Sequence, residues 1–176
     1  MSSTFSFSPD DWRAQIYAAL KREQVIQVAY VPDAGHASLI QAVHADPEMK
    51  VTVLTTEEEG VALLAGADLG GERGVMLMQS SGVGNCVNMF SLLRSCGFPF
   101  LTIVTMRGEW AEFNPWQIPM GQGTPKTFEH AGFLVYRMDD PADAGPVTEA
   151  AVRMAYDGAQ PVAVLLSQRL IGAKKF

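Results

Sequence analysis

Apolar and polar positions follow two distinct patterns along this chain. Short β-branched or apolar runs, bounded by turn-forming residues, predict β-strands. These strands lie at residues 25–31, 51–56, 74–79, 99–106, 133–138 and 161–166. Other segments place apolar residues at helical spacing and predict α-helices. These helices lie at residues 9–22, 36–45, 57–71, 85–96 and 141–158, the first of them with Ser8 as its cap and Pro9 in its first turn.

The order of these elements predicts an α/β fold. Several strands are apolar on both faces, which is typical of strands covered by helices on two sides. We therefore expect a three-layer, doubly wound sheet of six parallel strands with helices on both faces. No repeat or linker divides the chain, so residues 1–176 are predicted to form a single domain. In such sheets, ligands bind at the carboxyl ends of the strands.

Composition narrows the range of functions. A net charge of −6 argues against a nucleic-acid partner, which would favour clustered Lys and Arg. No apolar stretch is long enough to span a membrane, and the N-terminus does not resemble a signal peptide, so we expect a cytoplasmic protein. The spacing of Cys86 and Cys96 fits neither a disulfide nor a metal knuckle and predicts two free, buried thiols. The three histidines are scattered, so no metal site is expected within this chain.

Three consecutive glutamates, Glu57, Glu58 and Glu59, lie where the second strand ends and a helix begins. Acidic residues in a first turn stabilise the helix dipole, and this explains at least two of the three. The body of the helix is unusually rich in Gly and Ala, which allows close packing against a neighbour. A carboxylate at the carboxyl edge of the sheet beside such a helix is a candidate for burial and a raised pKa.

A glycine-rich segment, Gln79–Asn85, follows the third strand. It is neither a Walker loop, which needs a following Lys-Ser or Lys-Thr, nor a GxGxxG dinucleotide fingerprint. Its glycines could expose backbone N–H groups to a ligand, or could simply form a tight turn. The segment alone leaves both interpretations open.

Four segments together resemble the pyrimidine-binding domain of thiamine diphosphate-dependent decarboxylases. They are VPDAG after the first strand, TEEEGVALLAGADLGG, VMLMQSSGVGN and LTIVTMRGEW. The resemblance spans about residues 25–166 and is strongest to sulfopyruvate decarboxylase alpha subunits, followed by phosphonopyruvate decarboxylases. It implies the thiamine diphosphate-binding fold of pyrimidine (PYR) type and a decarboxylase acting on a small 2-oxo acid.

The resemblance also implies roles for individual residues. In this superfamily a glutamate hydrogen-bonds the cofactor's pyrimidine and promotes formation of the ylid that attacks the substrate. Glu57 lies nine positions before Gly66, as the superfamily pattern requires, and Glu59 is the alternative. His36, in the loop after the first strand, is a second catalytic candidate. The remaining candidates are Gln79, Ser81, Gly82 and Asn85 at the cofactor and Ser80, Arg107, Gln122 and Thr124 at the substrate.

One family feature is missing from the chain. The Gly-Asp-Gly motif of the diphosphate-binding and Mg²⁺-binding domain does not occur in it. The resemblance therefore implies a beta subunit that carries this domain, a heterotetramer or larger assembly, and a cofactor held between two chains. Residues 107–127, rich in Trp, Pro and Gly, are predicted to form a subunit interface or a substrate lid.

Three alternatives remain at this point. The same cofactor chemistry supports carboligation or C–C cleavage on an aromatic or aliphatic substrate. A non-catalytic regulatory subunit of the same fold is the second alternative. The third is a stand-alone α/β enzyme with Ser80 or Ser81 as its nucleophile, although the segment is not a G-x-S-x-G elbow.

Overall fold

A computed structural model describes residues 5–173 as one six-stranded sheet with helices on both faces. The strand order is β2-β1-β3-β4-β6-β5, and every neighbouring pair is parallel. The strands are β1 Val25–Tyr30, β2 Lys50–Val53, β3 Arg73–Gln79, β4 Phe100–Thr105, β5 Leu134–Met138 and β6 Pro161–Leu166. The predicted fold class is confirmed.

Eight α-helices surround this sheet in the described part of the chain. They are α1 Arg13–Arg22, α2 Ala37–Ala45, α3 Glu57–Leu69, α4 Ser80–Cys86, α5 Phe90–Cys96, α6 Ile118–His130, α7 Ala144–Tyr156 and α8 Gln168–Ile171. Short 3₁₀ turns precede α2, α6 and α7. None of the helices within residues 5–173 has both the length and the apolar character that crossing a lipid bilayer requires.

The apolar character of the strands reflects their place in the sheet. All six residues of the central strand β4 are buried, as are five of the six in β6. The edge strands β2 and β5 are largely half-buried or exposed. One face of the sheet packs against α1, α2 and α7, and the other against α3, α4, α5 and α6. Burial on two faces is therefore what makes the central strands continuously apolar.

The first helix begins later than predicted. Helix α1 starts at Arg13, and Ser8 does not cap it with its side chain. Instead the Ser8 carbonyl accepts a hydrogen bond from the Asp11 N–H and closes a turn. The Asp11 carboxylate then accepts one from the Arg13 N–H at 3.0 Å, while the N-cap residue itself is Trp12.

The glycine-rich segment is helical, which corrects both the predicted turn and the single helix over 85–96. Helix α4 runs through it from Ser80, and α5 follows from Phe90 after a short break. Glycine normally weakens a helix by about 1 kcal/mol. Here Gly82 packs on Glu57 of α3 and Gly84 faces Met120 of α6, so close packing offsets that cost.

Three further predictions need correction. Only the first part of 107–127 is a loop, because α6 begins at Ile118 and Gly121 lets that helix lie directly on the Arg107 carbonyl. Helix α8 after the last strand was not predicted. Both cysteines are free as expected, but Cys96 at the end of α5 is exposed and only Cys86 is buried.

Candidate functional site

The carboxyl ends of four adjacent strands, β1 to β4, place the predicted site residues along one edge of the sheet. Glu57 opens the helix after β2, and Gln79 ends β3. Arg107 follows β4, and Asp33 follows β1. Residues from separate parts of the sequence therefore lie along one edge of the sheet.

Glu57 is the buried acid of this edge. It is the first residue of α3, yet its side chain is 8% exposed and turns towards α4. The Asn85 side-chain amide donates a hydrogen bond to Glu57 Oε2 at 2.7 Å. Within residues 5–173 the other carboxylate oxygen, Oε1, accepts no hydrogen bond. Three predicted cofactor residues, Glu57, Gly82 and Asn85, thus form one group.

Gly82 makes this arrangement possible. A Cβ atom added at this position would overlap the Glu57 carboxyl group, including Oε1 and Cδ. No other residue type would therefore leave the carboxylate where it is. The glycine of the QSSGVGN segment is explained by close approach rather than by an unusual backbone angle.

The two neighbouring glutamates accept hydrogen bonds from residues just before the start of α3 instead. Glu59 is exposed, and its Oε2 accepts a hydrogen bond from the Thr55 N–H at 2.9 Å. Glu58 accepts one from the Thr56 hydroxyl, which lowers the pKa of the Glu58 carboxyl. Of the three acids, Glu57 alone contacts Asn85, which supports it over Glu59 as the candidate.

A second polar group centres on Asp33, which sequence reasoning missed. Its Oδ1 accepts a hydrogen bond from the Gln79 amide at 3.0 Å, and its Oδ2 accepts one from the Thr105 hydroxyl at 2.6 Å. Ser81 donates to Gln79 Oε1 at 2.9 Å. The only sequence signal for Asp33 is its place in VPDAG at the end of a strand, which also describes an ordinary turn.

The predicted substrate residues Ser80 and Thr124 hold the structure together. Ser80 is fully buried, and its Oγ accepts a hydrogen bond from the Arg107 N–H at 3.1 Å. Thr124, also buried, donates to the Met120 carbonyl at 2.6 Å. Gln122 donates its side-chain amide to the Gly108 carbonyl at 2.7 Å. These three residues join the loop after β4 to α4 and α6.

Arg107 is paired within the protein. Its guanidinium makes a bidentate ion pair with Glu112, with Nε–Oε2 and Nη2–Oε1 distances of 2.7 and 2.6 Å. The Glu112 carboxylate also accepts hydrogen bonds from two backbone N–H groups and from the Gln168 amide. The Arg107 hydrogen bond is the main reason that the pKa of Glu112 falls to about 2. That Arg107 binds an anionic substrate stays a prediction. Its pairing with Glu112 does not support that role.

This ion pair predicts a pH dependence of stability. The pKa of Glu112 drops from 4.5 to about 2 on folding, so the pair stabilises the fold fully above pH 4.5. That stabilisation is lost as the pH falls from 4.5 towards 2. Glu112→Gln should therefore lower the free energy of unfolding at pH 7, and the difference from the parent should shrink as the medium becomes acidic.

Denaturant unfolding at a series of pH values measures this difference. Glu129→Gln, at an exposed glutamate of α6, is the matched control and should track the parent at every pH. A Glu112→Gln difference that stays constant from pH 7 to pH 2 would contradict the assignment.

His36 lies inside the fold rather than beside Glu57. It is fully buried, and its Nε2 lies 3.1 Å from the Ile103 carbonyl oxygen. Burial lowers the pKa of this histidine, so the neutral ring is favoured at pH 7. Its predicted catalytic role has no support from this position.

The surroundings of Ser80, Ser81 and Cys86 do not support a role for these residues as catalytic nucleophiles. In the described chain neither the Ser80 nor the Ser81 hydroxyl bonds a histidine. Burial, with a contribution from the charge of Glu57, raises the pKa of Cys86 to about 12, so its thiol stays protonated. Residues 5–173 also contain no cluster of three or more His, Cys, Asp or Glu side chains that could hold a metal ion.

Comparison with known proteins identifies two kinds of curated relative. The sulfopyruvate decarboxylase subunit alpha of Methanococcus maripaludis is 34% identical over 152 residues, which is 86% of this chain and 91% of the relative. The phosphonopyruvate decarboxylase of Streptomyces viridochromogenes is 39% identical over 100 residues, or 56% of this chain and 25% of that longer protein. No family model matches the sequence.

A solved structure shares the fold. The 2-oxoglutarate:ferredoxin oxidoreductase of Magnetococcus marinus superposes with a TM-score of 0.73 at 16% sequence identity. The match covers 91% of this chain and 29% of that chain. At this identity the similarity concerns the fold alone: nearly the whole chain corresponds to one part of a larger enzyme.

Proposed function

Since this chain belongs to the family of sulfopyruvate decarboxylase alpha subunits, we propose that it supplies the pyrimidine-activating half of a thiamine diphosphate-dependent 2-oxo acid decarboxylase. The observation that carries the proposal is the Glu57 carboxylate, buried against Gly82 and held by Asn85. The relatives' names support the reaction class, decarboxylation.

The described residues fit an aminopyrimidine ring. Asn85 satisfies one oxygen of Glu57 and fixes the orientation of the carboxylate, while Oε1 is left without a donor from residues 5–173. A carboxylate oxygen left free in this way can accept a hydrogen bond from a ligand. A protonated ring nitrogen can donate such a hydrogen bond. When bound, thiamine diphosphate supplies the electron sink on which a 2-oxo acid loses carbon dioxide.

The role of this chain is then to position the cofactor's ring and to accept a hydrogen bond from one of its protons. With the cofactor bound, Glu57 Oε1 would accept the hydrogen bond from the ring nitrogen. Asn85 prevents the carboxylate from rotating away. The glycine at position 82 keeps the space beside the carboxylate free of side-chain atoms.

We propose that the Asp33 network holds Gln79 and Ser81 in place for their predicted role at the cofactor. Gln79 and Ser81 are linked to Asp33 and Thr105 by hydrogen bonds, so their side chains are held in place before a ligand arrives. Such preorganisation favours catalysis because little ordering remains to be done on binding. Since Arg107 is engaged by Glu112, the cations that a sulfonate or phosphonate requires are assigned to the partner subunit.

The partner is proposed to be a beta subunit that carries the diphosphate-binding domain and its Mg²⁺. Three features support this. The relative's name includes "subunit alpha", the sequence lacks Gly-Asp-Gly, and residues 5–173 hold no candidate metal cluster. We propose a heterotetramer or larger assembly in the cytoplasm, where both free cysteines stay reduced.

Reconstitution tests the proposal. We expect this chain alone, or the Gly-Asp-Gly-bearing chain alone, to release no carbon dioxide from sulfopyruvate or phosphonopyruvate. The two together should do so when thiamine diphosphate and Mg²⁺ are both added. Omitting either addition is the control. Full activity of the single chain without the cofactor would overturn the proposal, and a condensed hydroxyketone as the main product would indicate carboligation instead.

A further inference from the structure

The loop after β4 and the start of α6 expose four large apolar side chains within a short segment. We call these residues, Trp110, Phe113, Trp116 and Ile118, the aromatic ridge. Trp116 is 85% exposed, and the other three are 41–44% exposed. Four of the eight exposed large hydrophobic residues in the described chain fall in this short segment. Single exposed apolar residues are ordinary, but a contiguous patch marks an interaction surface.

The aromatic ridge is held rigidly from behind. The buried Arg107–Glu112 ion pair anchors its base. Gln168 Oε1 accepts hydrogen bonds from the N–H groups of Glu109 and Trp110 at 2.9 and 3.0 Å. The Asn114 side chain accepts one from the Trp116 N–H at 3.1 Å. A surface fixed in this way loses little conformational entropy on binding, which is the property of a preformed docking site.

The ridge lies at the same edge of the sheet as Glu57. It follows the carboxyl end of β4, whereas Glu57 follows that of β2. Met120, in the first turn of α6, packs on α4 at Gly84, where an added Cβ would lie 3.4 Å from its sulfur. Helix α4 also carries Gly82 and Asn85, so the helix that begins at the ridge and the Glu57 carboxylate contact the same helix. A protein that brings the rest of a cofactor site to Glu57 approaches along this edge.

The charged side chains of the ridge segment also favour an apolar interface. The two acidic side chains within the ridge segment are paired, Glu109 with Arg137 and Glu112 with Arg107. The chain carries a net charge of −6, but both acids of the ridge segment are paired, and the Arg169 guanidinium lies 5.8 Å from the centre of the Trp110 ring. Association through it should depend on buried apolar area rather than on charge steering.

We propose that the aromatic ridge is the main docking surface for the subunit that carries the diphosphate-binding domain. This inference rests on the proposed function and names the surface through which the two halves of the site are joined. Trp116 is its central anchor, since exposed tryptophans that become buried dominate the energetics of protein interfaces.

Affinity measurements between the two purified chains test this inference. Trp116→Ser and Ile118→Ser should each weaken association, Trp116→Ser by about 30-fold, equivalent to about 2 kcal/mol. Leu69→Ser is the matched control, because Leu69 is 77% exposed at the end of α3 furthest from Glu57. It should bind like the parent, and raising the salt concentration should change the parent's affinity little.

Footprinting of the unmodified chain gives a readout that does not depend on how a variant folds. The Trp116 indole should be oxidised readily in the free chain and be protected in the complex. Parent-like affinity of both ridge variants, or an equally oxidised Trp116 in the complex, would overturn the inference. So would Trp116→Ser dissociating a dimer of this chain without affecting the mixed complex. A ridge that fails this test leaves the role of Glu57 intact, because that role is judged by turnover in the assembled enzyme.

Discussion

Replacing Glu57 by Gln in the two-chain enzyme is expected to lower kcat by about 10²- to 10⁴-fold, the usual effect of removing a positioned acid–base group. Glutamine has almost the same shape, so its amide oxygen can still accept the Asn85 hydrogen bond. Its second terminal atom is an NH₂ group, which donates where Oε1 would accept a proton. The fold and the assembly should therefore persist while the chemistry fails.

Steady-state decarboxylation of the assembled complex, together with circular dichroism and the melting temperature, checks this result. Glu59→Gln is the matched control, at an exposed glutamate two residues further along the same helix. It should retain most activity, because Glu59 bonds the Thr55 backbone rather than Asn85. Near-normal turnover of Glu57→Gln beside an inactive Glu59→Gln would transfer the role to the other acid. Normal turnover of both would favour a regulatory subunit.

Gly82→Ala is expected to be nearly as damaging to turnover although it adds a single methyl group. That methyl overlaps the Glu57 carboxyl group, so the carboxylate must leave its place beside Asn85. Helix propensity works in the opposite direction, since Ala favours a helix over Gly by about 1 kcal/mol. A loss of activity therefore cannot come from a weaker helix.

Gly123→Ala on α6 separates these effects. A Cβ at Gly123 meets no atom within 4 Å, so this variant should keep parent activity and melt at the same or a higher temperature. Turnover numbers and thermal unfolding of the two alanine variants make the comparison. If Gly82→Ala matched the parent in kcat, the carboxylate would not need its observed position.

The strands were predictable because burial on both faces of the sheet gives them continuous apolar runs. Strand β6, for example, was predicted at 161–166 and occupies those residues. The helices α4 and α6 were not predicted correctly, because Gly82, Gly121 and Pro125 are poor helix formers. Their helical state depends on tertiary packing against α3 and the loop after β4, which a local pattern does not contain.

The candidate site was likewise predicted only in part. Glu57 and Asn85 lie 28 positions apart, and the family resemblance grouped them before their contact was known. Asp33 gave no distinctive signal, since an aspartate in a turn needs no further explanation. The pairing of Arg107 with Glu112 was missed because the sequence shows a free cation in a polar loop. The burial of His36 likewise follows from how α2 packs on the sheet.

The contact between Glu57 and Gly82 has a consequence for how such sequences diverge. Helices α3 and α4 meet at one small volume. The Glu57 carboxylate of α3 fills this volume, and Gly82 of α4 has no side chain that would compete for it. Mutational drift at either position is therefore tied to the other: a bulkier residue in place of the glycine is tolerable only where the acid has shortened or vanished. Across natural variants these two columns should change as a pair, and lineages that have lost the pair should have lost the chemistry with it.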